Sequence, residues 1–149
     1  MNKEDFVTYE QAVKLKELGF DWDCGMYYAT QCYCEGNNPY YFDTISTGDL
    51  IASPKYKEDE DDGWVIDEEY SVLAPTIYLA QKWLRNVKGI DVHYSYGRKK
   101  WTYYWGGRWS QPMWEEEFDT PIEALYAGID KVIEYLNNES KNKENRSNS

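Results

Sequence analysis

A chain of 149 residues is long enough for one folded domain, and its formal net charge of −11 excludes proteins that coat DNA or anionic membranes by charge alone. Leu, Ile, Val and Phe contribute only 27 residues, a fraction typical of disordered, highly charged chains. The 15 Tyr and seven Trp reverse that interpretation, because each ring can bury a large area and so allows a core to form.

The compartment is predicted from three features. The N-terminal residues up to Glu10 are polar and acidic, without the apolar centre of a secretory leader. No apolar stretch approaches the length that crosses a membrane. Cys24, Cys32 and Cys34 are an odd number and therefore a poor disulfide framework. We predict a cytoplasmic protein that does not contact membranes.

Three helices are predicted from their ends and their apolar periodicity. Each begins after a threonine cap (Thr8, Thr76, Thr120), the first and third with a capping box closed by Gln11 and Glu123, and the first two end at Gly19 and Gly89. The predicted buried stripes are Ala12, Leu15 and Leu18; Ile77, Ala80, Leu84 and Val87; and Ile122, Leu125, Ile129, Val132 and Leu136.

Between the helices the pattern changes to period two, which predicts strands over 26–34, 40–45, 64–66, 92–96 and 101–105, and a further strand ending near Trp114. The order α-β-β-β-α-β-β(-β)-α predicts an α+β fold, a two-layer structure of three helices on an antiparallel sheet. Residues 1–136 are predicted to be a single domain, and the polar segment 137–149 a disordered tail.

Gly128 lies inside the third predicted helix, where glycine costs about 1 kcal/mol relative to alanine. With Ala124 one turn earlier, it forms a flat stripe on the helix surface. We predict that a bulky aromatic side chain from the strands packs on this stripe, which would repay that cost.

One basic stretch coincides with aromatic strands. Seven basic residues and a single acid lie between Lys82 and Arg108. Cations beside stackable rings are suited to single-stranded nucleic acid, and Tyr and Trp are also enriched at protein interfaces. The same strands must supply core residues, so about half of the rings are expected to be buried. The candidate binding residues are Tyr94, Tyr96, Arg98, Lys99, Lys100, Trp101, Tyr103, Trp105 and Arg108. Trp83 and Arg85 extend this surface, unless Trp83 belongs to the core.

An acidic run lies between Glu58 and Glu69. It resembles a calcium loop in having Gly63 at the sixth position, but it begins with Glu58 where aspartate is expected and lacks flanking helices. A solvated loop, a partner-binding surface and mimicry of a nucleic-acid backbone are the remaining interpretations. The predicted acidic surface consists of Glu58, Asp59, Glu60, Asp61 and Asp62.

The sequence supports a metal site or a catalytic site less strongly than it supports an interaction surface. Cys24, Cys32, Cys34 and His93 have the ligand count of structural zinc, but their spacing matches no zinc signature, so no metal or other cofactor is predicted. His93 is the sole histidine, and no nucleophile elbow, Walker loop or dinucleotide fingerprint is present. We therefore predict no enzymatic activity. Sugar stacking on the aromatic strands is a further alternative, which the lack of a leader disfavours.

Three helical segments carry a resemblance: V-T-Y-E-Q-A-V-K-L-K-E-L-G-F at Val7–Phe20, A-P-T-x-x-x-A-Q-K-W-L-R at Ala74–Arg85, and F-D-T-P-I-E-A-L-x-A-G-I at Phe118–Ile129. Together they resemble a group of small uncharacterised proteins from gut Bacteroidales and their phages or prophages. The resemblance covers the helices and not the strands between them. It implies no activity and no site residues. It does imply an accessory gene of mobile elements, among which host-factor binding and counter-defence are common.

The sequence thus predicts a non-enzymatic cytoplasmic interaction protein, an accessory factor of a phage or mobile element that binds a host protein. Self-association between its acidic and basic surfaces is a related prediction, because the two carry opposite charge. The alternative is single-stranded nucleic-acid binding through the basic aromatic strands.

Overall fold

The computed structural model of the chain describes residues 5–35, 43–97, 99–106 and 116–147. These residues belong to two compact units, Met1–Pro75 and Thr76–Ser149. Within the described residues, three helices occur with four sheets, and every strand pair is antiparallel. The predicted α+β fold with three helices and antiparallel strands is confirmed. The strands are divided among one three-stranded and three two-stranded sheets rather than joined in one.

The described residues of the first unit form one helix and seven short strands. Its three-stranded sheet has the order β4-β1-β7, and two hairpins pair β2 with β3 and β5 with β6. The elements are α1 (Tyr9–Glu17), β1 (Tyr27–Ala29), β2 (Tyr33–Glu35), β3 (Asp43–Ile45), β4 (Leu50–Ile51), β5 (Tyr56–Asp59), β6 (Gly63–Ile66) and β7 (Ser71–Leu73).

The capping box of α1 is confirmed. Thr8 Oγ1 accepts a hydrogen bond from the Gln11 amide at 3.1 Å, and Gln11 Oε1 accepts one from the Thr8 amide at 3.0 Å. Gly19 follows the helix with a φ of 99°, a left-handed conformation that glycine adopts without strain. Ala12 and Leu15 are buried as predicted.

Tyr28 in β1 shows how a tyrosine serves as a core residue in the first unit. Its side chain is only 1% exposed, and its ring meets the Tyr9 ring edge-on at 6.0 Å. Its hydroxyl donates a hydrogen bond to the Val7 carbonyl oxygen at 2.5 Å. A buried tyrosine can therefore replace an aliphatic residue here, because its polar end is also satisfied.

The strand predictions for the first unit are partly confirmed. The predicted strand over 26–34 is two strands, β1 and β2, separated by residues 30–32. The Thr30 backbone amide and hydroxyl donate to the carbonyl oxygens of Tyr70 and Glu69, at 3.0 and 2.6 Å. The prediction at 64–66 corresponds to β6, and the described part of the prediction at 40–45 corresponds to β3. Residues 40–42 lie outside the described residues. The sequence did not predict β4, β5 and β7.

The second unit contains α2 (Ile77–Lys88), β8 (Asp91–Gly97), β9 (Lys100–Gly106) and α3 (Pro121–Ser147). Thr76 Oγ1 caps α2 by accepting from the Leu79 amide at 3.1 Å, and Gly89 ends it with a φ of 72°. The two strands form the predicted hairpin, with Gly97 paired to Lys100 across the turn.

The buried face of α2 differs from the prediction at its end. Ile77, Ala80 and Leu84 are fully buried, but Val87 is 51% exposed. Trp83 is buried instead, at 1% exposure, with the Lys88 ammonium 5.6 Å from the centre of its ring. Val87 lies one turn after Trp83 on the same face and one residue before the end of the helix, so the two differ in burial and not in face. Trp83 is therefore a core residue and does not extend a binding surface.

The third helix begins as predicted, with the Glu123 amide donating to Thr120 Oγ1 at 3.3 Å. In the predicted stripe Leu125, Ile129 and Val132 are buried, whereas Ile122 and Leu136 are half-buried. The helix continues to Ser147, through the segment predicted to be a disordered tail. That segment contains neither proline nor glycine, so nothing in it ends a helix. Its mobility stays a prediction.

Gly128 of α3 lies directly against Tyr103 of β9. A Cβ atom on Gly128 would lie 3.0 Å from the Tyr103 Cβ and 3.2 Å from its Cγ, and Tyr103 is fully buried. These distances are shorter than nine in ten contacts of real Cβ atoms, so any other residue would require the helix and the hairpin to separate by a few tenths of an ångström. The predicted packing of an aromatic residue on this stripe is confirmed.

Candidate interaction surfaces

The register of the β8–β9 hairpin divides its rings between two faces. Directly opposed residues share a face, and Val92 pairs with Trp105, Tyr94 with Tyr103, and Tyr96 with Trp101. Because side chains alternate along each strand, these three pairs lie on one face. The predicted aromatic binding residues are therefore on the same face, as the alternation in the sequence indicated.

The third helix covers part of that face. Tyr103 lies beneath Gly128, and the Trp105 ring contacts the Tyr135 ring of α3 at 5.2 Å. Tyr103 is therefore a core residue rather than a binding residue. Trp105 is half-buried in the same packing.

The end of the same face, next to the hairpin turn, remains exposed. The Trp101 ring contacts the rings of Tyr96 at 4.9 Å and Tyr94 at 5.5 Å. Tyr96 is 60% exposed and Tyr94 43%, while Trp101 is half-buried beneath them. We call Tyr94, Tyr96 and Trp101 the tip cluster. Three rings in mutual contact thus present an aromatic surface of which the two tyrosines are the exposed part.

The cations next to the tip cluster are only partly available. Lys99 is exposed in the turn, with a left-handed φ of 64°. Lys100 donates a hydrogen bond to Asp119, and this bond and the opposite charge raise the pKa of Lys100 and lower the pKa of Asp119. The predicted Arg98 and Arg108 lie outside the described residues.

Residues 116–119 hydrogen-bond to the edge of β9 that does not pair with β8. Trp101 and Phe118 exchange two backbone hydrogen bonds, at 2.9 and 2.7 Å, and Thr102 Oγ1 donates to the Glu116 carbonyl oxygen at 2.6 Å. The Tyr103 hydroxyl donates to the Glu116 carboxylate. These bonds fix the strand that carries Trp101. The predicted strand ending near Trp114 lies outside the described residues.

The burial of Tyr103 gives the protein a predicted sensitivity to alkali. Burial, followed by the hydrogen bond to Glu116 and the charge of that carboxylate, raises the pKa of the Tyr103 hydroxyl. The protonated Tyr103 hydroxyl contributes fully to stability below about pH 10, the ordinary pKa of tyrosine in an unfolded chain. This contribution is lost as the pH rises from there towards the higher pKa that Tyr103 has in the folded protein. We expect the free energy of unfolding to fall by about 1.4 kcal/mol per pH unit for this group above that point.

Urea unfolding at a series of alkaline pH values, with tyrosinate absorbance recorded in parallel, checks this expectation. Tyr103→Phe removes the hydroxyl group. The free energy of unfolding of this variant should fall less steeply with pH, by the contribution of one titrating proton. An unchanged slope in Tyr103→Phe would mean that Tyr103 ionises normally in the folded protein.

The acidic segment is a hairpin rather than a loop. β5 and β6 pair from Tyr56 with Ile66 to Asp59 with Gly63. Asp59 Oδ1 accepts hydrogen bonds from the amides of Asp61 at 2.9 Å and Asp62 at 3.3 Å, which lowers the pKa of Asp59. One of the acids of the predicted surface thus shapes the turn, as aspartate commonly does. Glu58, Glu60, Asp61 and Asp62 are exposed.

The acidic hairpin also carries exposed rings that the sequence did not single out. Trp64 is 71% exposed and Tyr56 49%, and the register places both on one face with Glu58 and Ile66. The alternation of Tyr56 with Glu58, and of Trp64 with Ile66, was the available signal. The charges mask this signal, because a run of acidic residues is equally typical of a solvated loop.

Three of the possible zinc ligands, Cys24, Cys32 and Cys34, belong to the first unit, and the fourth, His93, belongs to the second. Cys24 is half-buried and its Sγ donates to the Met26 carbonyl oxygen at 3.4 Å; burial is the main cause that raises its pKa. Cys32 is exposed, the side chain of Cys34 lies outside the described part, and His93 stacks on Tyr104 at 5.3 Å in the second unit. No group of three His, Cys, Asp or Glu side chains suited to a metal ion occurs among the side chains that the structure describes.

In the described ranges, no helix combines the length and the apolar character required to cross a membrane. Comparison of the chain with protein-family profiles, with curated proteins and with solved structures gives no match.

Proposed function

We propose that this protein is a non-enzymatic binding protein and that the tip cluster is its principal contact surface for a protein partner. The observation that carries the proposal is the exposure of Tyr94 and Tyr96 on the one face of the hairpin that is otherwise covered by α3. Large rings held together at a surface, with little rotamer freedom left to lose, are the residues that dominate protein interfaces.

Electrostatics favours a protein over nucleic acid as the partner. Of the two described cations at the turn, Lys100 is engaged by Asp119. Nucleic-acid affinity depends on neutralising several phosphates, and the chain as a whole carries −11. Lys99, exposed beside the rings of the cluster, is the observation that supports the alternative of single-stranded nucleic acid.

The resemblance of the helical segments to proteins of gut Bacteroidales and their phages or prophages supports a narrower proposal. On that basis the protein is an accessory factor of a mobile element, acts in the cytoplasm, and binds a protein of its host. Self-association is the related alternative, in which the partner is a second copy of the chain.

Replacing both tip tyrosines tests the proposal. We expect Tyr94→Ser with Tyr96→Ser to abolish capture of the partner from a host lysate, because two anchoring rings are lost at once. Bound proteins are quantified by mass spectrometry against the wild-type protein. Tyr78→Ser is the matched control, since Tyr78 is 54% exposed on α2 of the same unit and lies outside the cluster.

The outcomes separate the proposals. If the double variant no longer captures a protein that Tyr78→Ser still captures, the tip cluster is supported as the contact surface. If both variants capture the same proteins as the wild type, that assignment is contradicted. Binding of labelled single-stranded oligonucleotides that falls with Lys99→Glu would favour the nucleic-acid alternative. Loss of dimers in light scattering of the tip variant would indicate self-association.

A further inference from the structure

A cavity of about 430 Å³ opens in the first unit, next to α1 and the three-stranded sheet. Its volume falls within the range of about 300–1,000 Å³ that is typical of small-molecule sites. Its floor is apolar and is formed by Ala12, Phe20, Tyr27, Ile66, Val72 and Leu73. Ala12, Phe20 and Val72 are buried, so this half of the floor belongs to the close-packed core.

The walls of the cavity are acidic. Asp21, Asp23 and Glu68 line it together with a single cation, Lys16, so the lining carries a net charge of −2. The first unit has 17 acidic and five basic residues, a net charge of −12, whereas the second has 10 acidic and 11 basic residues, a net charge of +1. The cavity therefore lies in the unit that accounts for the negative charge of the chain, where the field attracts cations.

Asp23 and Tyr27 form the best-defined part of the wall. Asp23 Oδ1 accepts a hydrogen bond from the Gly25 amide at 3.2 Å, which orients the carboxylate. Asp23 and Tyr27 both line the cavity. Burial, and then the charge of Asp23, raise the pKa of the Tyr27 hydroxyl. A carboxylate beside an aromatic ring is the pairing that stabilises an organic ammonium group by charge and by cation–π attraction.

We propose that this cavity binds a small organic cation with an apolar body, such as an aromatic amine. The ring of the ligand lies on the apolar floor, and its ammonium group lies at the wall formed by Asp21, Asp23 and Glu68. An anion of the same shape is excluded, because it would meet three carboxylates. This site is in the first unit and does not depend on the function proposed for the tip cluster.

Tryptamine is a suitable probe, because it joins an indole ring to a primary ammonium. Tryptophol replaces the ammonium by a hydroxyl group and indole-3-acetate replaces it by a carboxylate. Titration of the ¹⁵N-labelled full chain, followed by amide chemical shifts, gives the affinity and the location together. We expect a Kd for tryptamine between about 0.1 and 1 mM, as its size permits. Tryptophol should bind about tenfold more weakly, and indole-3-acetate should not saturate.

Charge-neutral variants with a matched control complete the test. Asp21→Asn with Asp23→Asn should weaken tryptamine about fivefold or more, because two of the three carboxylates are lost. Asp61→Asn with Asp62→Asn makes the same change in net charge on the exposed turn of the acidic hairpin and should leave the affinity within about twofold. Leu73→Trp keeps the charge, fills the cavity and should abolish binding.

Three results would overturn the proposal: equal affinity for the anion and the cation, equal weakening by the two charge variants, or shifts confined to amides away from the cavity. The two asparagine variants are isosteric with the residues they replace. The proposal can therefore be decided even if Leu73→Trp fails to fold.

Discussion

Leucine in place of Gly128 is expected to lower the free energy of unfolding by about 3 kcal/mol, which is at the upper end of the range for overpacking. The reason is the 3.0 Å separation that even a Cβ atom would have from the Tyr103 Cβ. The Tyr103 Cβ is fixed to the backbone of β9, so the clash cannot be relieved by turning a side chain. Relief requires α3 to move away from the hairpin and would expose Tyr103.

Urea unfolding checks this result against two other variants. Gly128→Ala also clashes, but it gains about 1 kcal/mol of helix propensity, so it should be the milder change. Lys131→Leu, at an exposed position of the same helix, should alter stability by less than about 0.5 kcal/mol. In a Tyr103→Ala background the cost of Gly128→Leu should shrink in part, because the ring atoms are removed while the Cβ atom of residue 103 remains. A Gly128→Leu protein as stable as the wild type would rule out the close packing.

Trp83→Ala is expected to cost about 3–5 kcal/mol, the range for removing a fully buried large aromatic side chain. Trp83 is 1% exposed and is the largest of the fully buried side chains described. Its removal leaves a cavity between α2 and the elements it packs against in the second unit.

The control for this change is on the same helix. Tyr78→Ala removes a ring that is 54% exposed. It should change the free energy of unfolding, measured with urea, by no more than about 0.5 kcal/mol. If Trp83→Ala and Tyr78→Ala were equally stable, Trp83 would lie at the surface, and its assignment to the core would be wrong.

The helices were predictable because their signals are local. A threonine cap and the residues three positions later determine where α1 begins, and Gly19 and Gly89 each adopt the left-handed conformation that ends a helix. The packing role of Gly128 was predictable for a similar reason, since an isolated glycine in a helix interior indicates that another group packs closely against it. The identity of that neighbour, Tyr103, depends on tertiary packing.

The strands of the first unit were less predictable, because they are short and their partners are distant in sequence. β4 has only two residues, and β1 pairs with it and with β7. β5 reads Tyr-Lys-Glu-Asp, in which charge hides the alternation. A strand of this kind is stabilised by its cross-strand partner, Trp64 opposite Glu58, and not by its own apolar pattern.

The sequence predicts where the candidate surface lies, but not which of its aromatic residues are exposed. Period two predicts one face for Tyr94 and Tyr96, and one face for the rings of the second strand, Trp101, Tyr103 and Trp105. The register of the hairpin joins the two groups on a single face. Only the position of α3 decides which of them are covered, and a sequence pattern does not report that position. The exposed Trp64 and the acidic cavity were not predicted, because both arise from strand pairing in the first unit.

The affinity of the purified partner for three forms of the protein tests the central claim most directly. We expect Tyr94→Ser with Tyr96→Ser to weaken binding about 100-fold or more, since two anchoring rings contribute about 1.4 kcal/mol or more each. Tyr78→Ser should bind within about twofold of the wild type. A tip variant that binds its partner as tightly as the wild type would contradict the assignment of the tip cluster as the contact surface.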